Sequence, residues 1–527
     1  RYTTLFRSEE RIFPLILFEN FSSATLEIIN CSFYNFNLPK LSLIWTKSQD
    51  FMLKIENTRF NNVVFQYSTI VLTDSAETSG AVDLKNIQFS NYNNWKLLND
   101  ENVEGVLESY FLISEGAFNG DICISDSVFQ NFSSLYYQEC LSLPLLCDDF
   151  PQVNFRKMYE TNIDTSQSSN LIRLREYSGT FQISRSKFYN IMGSYGSVLT
   201  VLDLYGPKSL FKIEDSLFDN NMALQAYANI VIARKYTADE DILLCPNVSI
   251  INSNFTNNYG CPAAYGNILI YCSWEPTWDG AAVNYTYDNL LPLLSAHLAQ
   301  VKQSKSLSYI KIKNCLFENN LLSTSNSLAI IGEISITLEN NKFINNGGHF
   351  QELILDRLMD SLYHERYNNG PYHFDSLNCM TQATTVYIEL AASFISQNNL
   401  YSGNFGPLLG SILLAESMTI FDFMVFPDSN LEFKSDIFEN HRGWPYYIPM
   451  DPLTSKPTPP IVAISLNPAT MFGETSTDRI ITHFKAGFLQ VIFENAIFRN
   501  NNLDYDYSDV NLVFSSAFIQ LAVFQKS

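Results

Sequence analysis

Short stretches of alternating apolar and polar residues recur along the chain, each followed at a fixed distance by Phe and then Asn. In "FKIEDSLFDNN" (211–221), Phe211 and Ile213 flank one polar residue, Asp215 follows, and Phe218 and Asn220 close the motif. Eleven stretches share this order, with the Phe at Phe33, Phe60, Phe89, Phe129, Phe188, Phe218, Phe255, Phe317, Phe343, Phe438 and Phe498. Two residues later stand Asn35, Asn62, Asn91, Asn131, Asn190, Asn220, Asn257, Asn319, Asn345, Asn440 and Asn500. Three residues before the Phe, seven of the eleven copies carry Asn and two carry Asp. A degenerate copy lies around Phe394 within 386–430.

The apolar–any–apolar piece has the two-residue period of a strand with one buried face. A second apolar run follows most copies after a gap, as in "STIVLT", "SVLTVLD" and "SLAIIGE". The shortest spacings between copies are 26, 27, 29 and 30 residues, which is a solenoid period. Each unit therefore reads as three short strands with corners between them, one coil of a parallel β-helix. About 12–14 such coils fit the chain, as a single all-β domain over 1–527. Stacked coils place a residue about 4.8 Å above its counterpart. The Phe positions then form an inward aromatic stack. Asn at the corner tolerates a left-handed backbone, and its amide can bond its neighbours above and below, satisfying polar groups otherwise buried unpaired.

The stretches "ITLENNKFINN" (336–346), "FKIEDSLFDNN" and "IKIKNCLFENN" (310–320) resemble the repeats of right-handed parallel β-helix, pectin-lyase-like proteins. The form F-x-N-N also resembles repeats of polymorphic outer-membrane passengers and of large secreted β-helix proteins of protists. The GGA partner motif of the bacterial repeats is missing; "SGAV" and "DGAAV" come nearest. The resemblance implies a right-handed solenoid with an Asn ladder at the matching corner. It implies little about activity, because this fold hosts many functions.

Four excursions interrupt the spacing: 134–169, 273–307, 347–385 and 441–460. The first holds "CLSLPLLC", where Cys140 and Cys147 are placed to close a loop. The second and third carry helix-like patterns, the latter with Phe350, Leu353, Ile354, Leu358 and Leu362 on one face. The fourth is Pro-rich.

Lys and Arg number 33 against 54 Asp and Glu, a formal charge of −21, which argues against nucleic acid and anionic membranes as partners. No apolar run approaches a membrane span. The chain starts at Arg1 with no signal peptide in view, and both its ends read as strands, so it is expected to be part of a longer protein. Nine Cys is an odd count; besides Cys140 and Cys147, Cys245 and Cys272 are candidate disulfide partners, with Cys261 between them leaving the connectivity open. Six N-x-[S/T] sequons occur. Asn254 precedes its Phe by one and points outward; Asn284 and Asn247 fall in connections; Asn20 and Asn30 sit near corners. Asn131 is itself a ladder position; if it points inward it should stay bare despite its sequon. Sequons and close Cys pairs together indicate an extracellular or cell-surface glycoprotein. The load of Asn, Phe, Tyr and Ile suggests an AT-rich genome such as a protist's.

Carbohydrate-active β-helix enzymes work from an outer sheet face with converging carboxylates. Here the outward residues of the first strand alternate in sign: Glu27 falls over Lys54, Lys54 over Asp83, Glu56 over Lys85 and Lys313 over Glu339. That is a solvated, charge-paired face. The ordered N-T-D, D-D, G-H-G and R-I-K signatures of the family's hydrolases are absent from the sequence. "DYDYSD" (504–509) lacks the Gly and Glu of an EF-hand loop, and His349, His364 and His373 lack metal-ligand spacing. No catalytic residue, metal ligand or cofactor is therefore assigned. The expected role is a non-catalytic structural building block of a coat, appendage or filament, with copies of itself or other extracellular structural proteins as partners. The alternative is a carbohydrate-active or glycan-binding protein, for which Trp274, Trp278, Trp444, Tyr446 and Tyr447 could stack on sugars.

Overall fold

Short parallel strands, each lying beside its counterpart one repeat away, make up the computed structural model of the chain. It describes residues 14–19, 21–38, 42–65, 68–73, 78–93, 110–133, 170–193, 196–202, 209–223, 229–235, 246–260, 266–273, 308–322, 325–332, 334–346, 384–389, 393–404, 412–415, 430–441, 462–466, 490–501 and 519–523. No helix occurs among the described residues. The fold is an all-β parallel β-helix, and every coil contributes strands to three sheets. The excursion segments 134–169, 274–307, 347–383 and 442–461 lie outside the described residues, and so do the helix-like patterns read from two of them.

The chain divides into two compact units: Arg1–Ala233 with Ser253–Ala264 and Phe350–Ser376, and Arg234–Asn252 with Tyr265–His349 and Leu377–Ser527. In the first unit, sheet one holds six strands, from Ala24–Ile29 to Leu210–Glu214; sheet two holds seven, from Ser32–Leu38 to Asn254–Thr256. Sheet three of that unit holds seven, from Ile16–Glu19 to Ile230–Lys235. In the second unit, sheet one holds six strands from Asn247–Ile251 to Gln490–Glu494, sheet two five from Leu316–Glu318 to Ile497–Arg499, and sheet three six from Ile268–Ser273 to Ile519–Val523. These numbers match the coil count that the repeat spacing predicts.

Register follows the sequence template. Phe33 lies over Phe60, Phe129 over Phe188 and Phe317 over Phe343. Alternation on sheet one sends Leu53 and Ile55 inward, fully buried, while Lys54 and Glu56 stay at the surface. The aromatic column is regular through Phe129, Phe188, Phe218 and Phe255, with centroids 4.7–5.2 Å apart and planes within 12°. It tilts at Phe60–Phe89 (50°) and Phe89–Phe129 (41°). The cause is Phe111 of sheet three, whose ring meets Phe60, Phe89 and Phe129 edge-on, at 77°, 65° and 71°. In the second unit the column runs Phe317, Phe343, Tyr401, Phe438 and Phe498, with planes within 9°. Its middle member corrects the degenerate copy: the column residue is Tyr401, and Phe394 belongs to sheet one, over Ile336 and under Leu431. Tyr replaced Phe, so a search for the aromatic by identity missed it.

On sheet one, Gly80 sits over Phe51, Gly120 over Gly80, and Gly179 follows in the same column. A Cβ on Gly120 would lie 1.9 Å from the Gly80 carbonyl oxygen, and one on Gly179 would lie 2.1 Å from that of Gly120. Gly179 also has φ +140, which side chains rarely adopt. Backbones here approach too closely for any side chain, so Gly120→Ala is expected to destabilise the first unit by about 1–3 kcal/mol or more. A denaturant midpoint unchanged from wild type would contradict this close approach.

Candidate functional site

The most constrained place in each coil is the two-residue connection between sheets one and two, such as Asn57–Thr58 or Asn340–Asn341. Its first residue has positive φ in coil after coil: Asn30, Asn57, Asn86, Asp126, Arg185, Asp215, Asn314, Asn340, Asn398, Ser435 and Asn495 lie between 46° and 55°. Its main-chain N–H still reaches the next coil, as from Asn57 to Lys85 O and from Asn314 to Glu339 O, both at 3.0 Å. A left-handed residue turns the chain within one position while keeping the backbone ladder.

The turn aims the following N–H inward, and a side chain from the next coil accepts it. In the first unit these acceptors are hydroxyls: Ile87 N–H donates to Ser127 Oγ at 3.0 Å, Ser127 to Ser186, Ser186 to Ser216 and Ser216 to Ser253, the last three at 3.2 Å. In the second unit they are amides: Cys315 N–H donates to Asn341 Oδ1 at 2.9 Å and Asn341 N–H to Asn399 Oδ1 at 2.7 Å. Cys315 itself stands in this column, its thiol donating to Lys313 O at 3.3 Å. Cys31 and Cys123 are free thiols. Cys140, Cys147 and Cys245 lie outside the described residues; Cys272 sits in the strand Ile268–Ser273. No disulfide is present among the described residues.

The second corner overturns one expectation. All eleven Asn two residues after the Phe have positive φ, between 51° and 58°, as the sequence predicts. They lie at the outer surface rather than inside; Asn35, Asn91 and Asn131 are exposed. Asn62 Nδ2 donates to Asn35, Asn131 to Asn91, Asn190 to Asn131 and Asn220 to Asn190, at 2.7–3.0 Å. Asn91 reaches Asn61 and Asn257 reaches Asp219 instead of the preceding column Asn. The twelfth copy has Gly403, φ 63, at this position, so backbone conformation rather than the amide is what the corner requires.

The buried polar groups are satisfied one residue further on. Asn221 Oδ1 accepts from Ile191 N–H and Asn258 Oδ1 from Asn221 N–H, both at 2.9 Å. In the second unit Asn346 Oδ1 accepts from Asn320 N–H at 3.2 Å, and its Nδ2 donates to Phe317 O at 2.9 Å; Asn404 repeats the pattern toward Asn346 and Phe343. His441 continues the column: its N–H donates to Asn501 Oδ1 at 3.0 Å, and its Nδ1 lies 3.1 Å from Asn404 O. Burial pulls the His441 pKa down to about 4, so the ring is neutral in the folded protein. In F-x-N-N the first Asn bends the chain and the second feeds the interior, a division that identity alone conceals.

Outside, the register pairs the charges of sheet one as expected. Glu27 lies over Lys54 and Lys54 over Asp83. Lys85 Nζ is 3.8 Å from Glu56, Lys54 Nζ is 3.1 Å from the same carboxylate, and Lys313 Nζ is 2.7 Å from Glu339. Lys434 pairs with Glu432 on its own strand. The hydrogen bond from Lys54 lowers the Glu56 pKa, and that from Arg185 lowers Asp126. Arg499 similarly joins Glu439 at 2.6 Å across coils. Water and salt screen such surface pairs, so each contributes little to stability.

Of the sequon residues, Asn254 is exposed in Asn254–Thr256, Asn30 is an exposed corner residue, and Asn247 is half-buried with its Oδ1 accepting from Tyr309 N–H at 3.1 Å. Asn20 and Asn284 lie outside the described residues, as do Trp274, Trp278, Trp444, Tyr446, Tyr447, His349, His364, His373 and 504–509. Among the described residues no group of His, Cys, Asp and Glu could hold a metal ion. No protein-family model and no curated protein matches the sequence.

The two adjacent amides of one motif should respond oppositely. Asn346→Ala strands Asn320 N–H and Phe317 O in the interior and is expected to cost about 2–3 kcal/mol. Asn345→Gly should cost a few tenths of a kcal/mol or none, because glycine takes positive φ freely. Urea midpoints of the two variants test this, and equal losses would contradict the inside–outside assignment.

Proposed function

We propose that this protein is a non-catalytic extracellular structural glycoprotein, a rigid β-helix building block of a surface coat, appendage or filament. The observation that carries this reading is where the polar side chains are directed. Inside, Ser and Asn columns join each coil to the next; at the outer corner amides bond along the axis; on sheet one, carboxylates and ammonium groups pair between coils. Polar chemistry that a catalytic groove would aim at a substrate is engaged here in axial cohesion. A scaffold of this kind resists bending because each column is a row of interlocked neighbours. Its partners are copies of itself or other extracellular structural proteins, and its only covalent additions are N-linked glycans.

Electron microscopy of native material should show rods or filaments containing this chain. Purified chain incubated with acidic polysaccharides, with and without calcium, should leave them intact; release of unsaturated or reducing ends would replace the structural reading with the carbohydrate-active one. Glycopeptide mass spectrometry supplies a separate check. Asn254 should carry a glycan, while Asn131, whose amide donates to Asn91 and whose carbonyl accepts from Asn190, should be bare. Occupancy at Asn131 would mean that the outer amide row does not form as described.

A further inference from the structure

In the second unit the inward amide column at the first corner runs Asn341, Asn399 and then Asp436, where a carboxyl group stands in a fully buried position. Asp436 Oδ1 does what the amide oxygens do: it accepts from Asn399 N–H at 2.7 Å and from Asn399 Nδ2 at 3.2 Å. Oδ2 is buried with no hydrogen-bond partner. In the two preceding coils the matching atom is an NH2 donor, Asn341 Nδ2 to Ile312 O and Asn399 Nδ2 to Leu338 O, each at 2.9 Å. Ile312, Leu338 and Ser396 are successive partners in register, so the position that those carbonyls hold toward the amides falls, for Asp436, to the main-chain carbonyl of Ser396. An ionised carboxylate would set two acceptor oxygens against each other; a neutral acid reproduces the amide, one oxygen accepting and one donating.

We propose that Asp436 is held as the neutral acid in the folded protein, its Oδ2–H donating to the Ser396 carbonyl, and that this makes the joint between the Ser393–Ser402 and Asn430–Glu439 coils proton-dependent. The charged groups around it do not change this. From its own coil, Lys434 and Glu432 pair with each other at the surface, and Glu439 pairs with Arg499 of the next coil. Glu494 is exposed on the next coil, beside Lys434. Among the described residues of the preceding coil, the titratable group near it is the buried Tyr401 hydroxyl, 3.1 Å from Ser396 Oγ. His441 is neutral and faces Asn404. With no cation against it among the described residues, burial raises the Asp436 pKa to about 6, partly offset by the Ser396 hydroxyl and the Asn399 N–H and amide groups. A carboxyl raised in the folded state stabilises fully below its unfolded pKa near 3.8, and that contribution is lost as pH rises through about 6. His441 has the opposite sign: its stabilisation is present above 6.5 and is lost as pH falls toward about 4. In the wild-type chain the two slopes offset each other.

The test therefore uses the full chain in the H441N background, where Asn continues the column of Asn404 and Asn501. Between pH 4 and pH 7.5 the unfolding constant of the second unit in H441N should rise by on the order of a hundredfold more than in D436N/H441N. Native-state exchange of the Asn399 N–H should show the same difference. D436N alone should be more stable than wild type at pH 8, and an infrared difference spectrum of wild type against D436N near pH 5 should show the loss of a carboxylic-acid carbonyl band. Identical pH profiles with and without Asp436, D436N weaker than wild type at pH 8, or no acid band lost would each overturn the proposal.

Discussion

Parallel strands in register allow a residue only one kind of neighbour, its own counterpart one coil away. That constraint governs every column of this molecule. A position is usable when its side chain tolerates a copy of itself about 4.8 Å distant. Phe does so by stacking, as from Phe129 to Phe188, and Asn by donating on one side and accepting on the other, as from Asn190 to Asn131. A charge does not, so a charged outward position of sheet one meets the opposite sign or a neutral residue, as Lys54 lies between Glu27 and Asp83 and Lys85 beside Ser125. Composition and column order therefore have one cause.

The corners add a second requirement. A turn made within one residue needs positive φ, and it aims the next N–H into the core, where water cannot reach it. The buried Ser and Asn side chains that follow these corners answer that N–H. Ser suffices at the first corner of the first unit because its hydroxyl accepts from one coil and donates within its own, as Ser186 does to Ser184 O at 2.9 Å. In the second unit Asn reaches further and also ties down the carbonyl of the preceding coil. At the second corner Tyr92, Phe132 and Ile191 fill the inward place with apolar bulk, and from Asn221 onward it is mostly amide. The same left-handed turn thus serves an apolar or an amide side chain at the inward place.

Much of this was legible because the repeat compares the chain with itself. Strand period, coil length, the Phe column and the left-handed Asn all follow from spacing alone. What was not legible is direction. Positive φ at Asn345 rotates its side chain outward and leaves Asn346 to face the core, and two identical letters cannot record that difference. Tyr401 escaped for a related reason: the column selects shape and the template was read by identity. A Cys count does not record columns either: Cys31 and Cys315 stand where other coils have Ser, each thiol donating to a carbonyl two residues earlier.

The same constraints decide where the chain can vary. The connection between sheets one and two has two residues throughout, because its N–H groups and side chains are fixed by both neighbouring coils. An inserted residue there would break a backbone ladder and an interior column together. The connections on either side of sheet three differ in length from coil to coil, although buried polar residues such as Ser197, which donates to Asn229 Oδ1 at 2.7 Å, line the entry to it; the four long excursions fall at these connections, 134–169, 347–383 and 442–461 before a sheet-three strand and 274–307 after one. Length varies there while the two-residue connection between sheets one and two stays fixed, so the repeat sets the scaffold at that corner and leaves the approaches to sheet three free to differ.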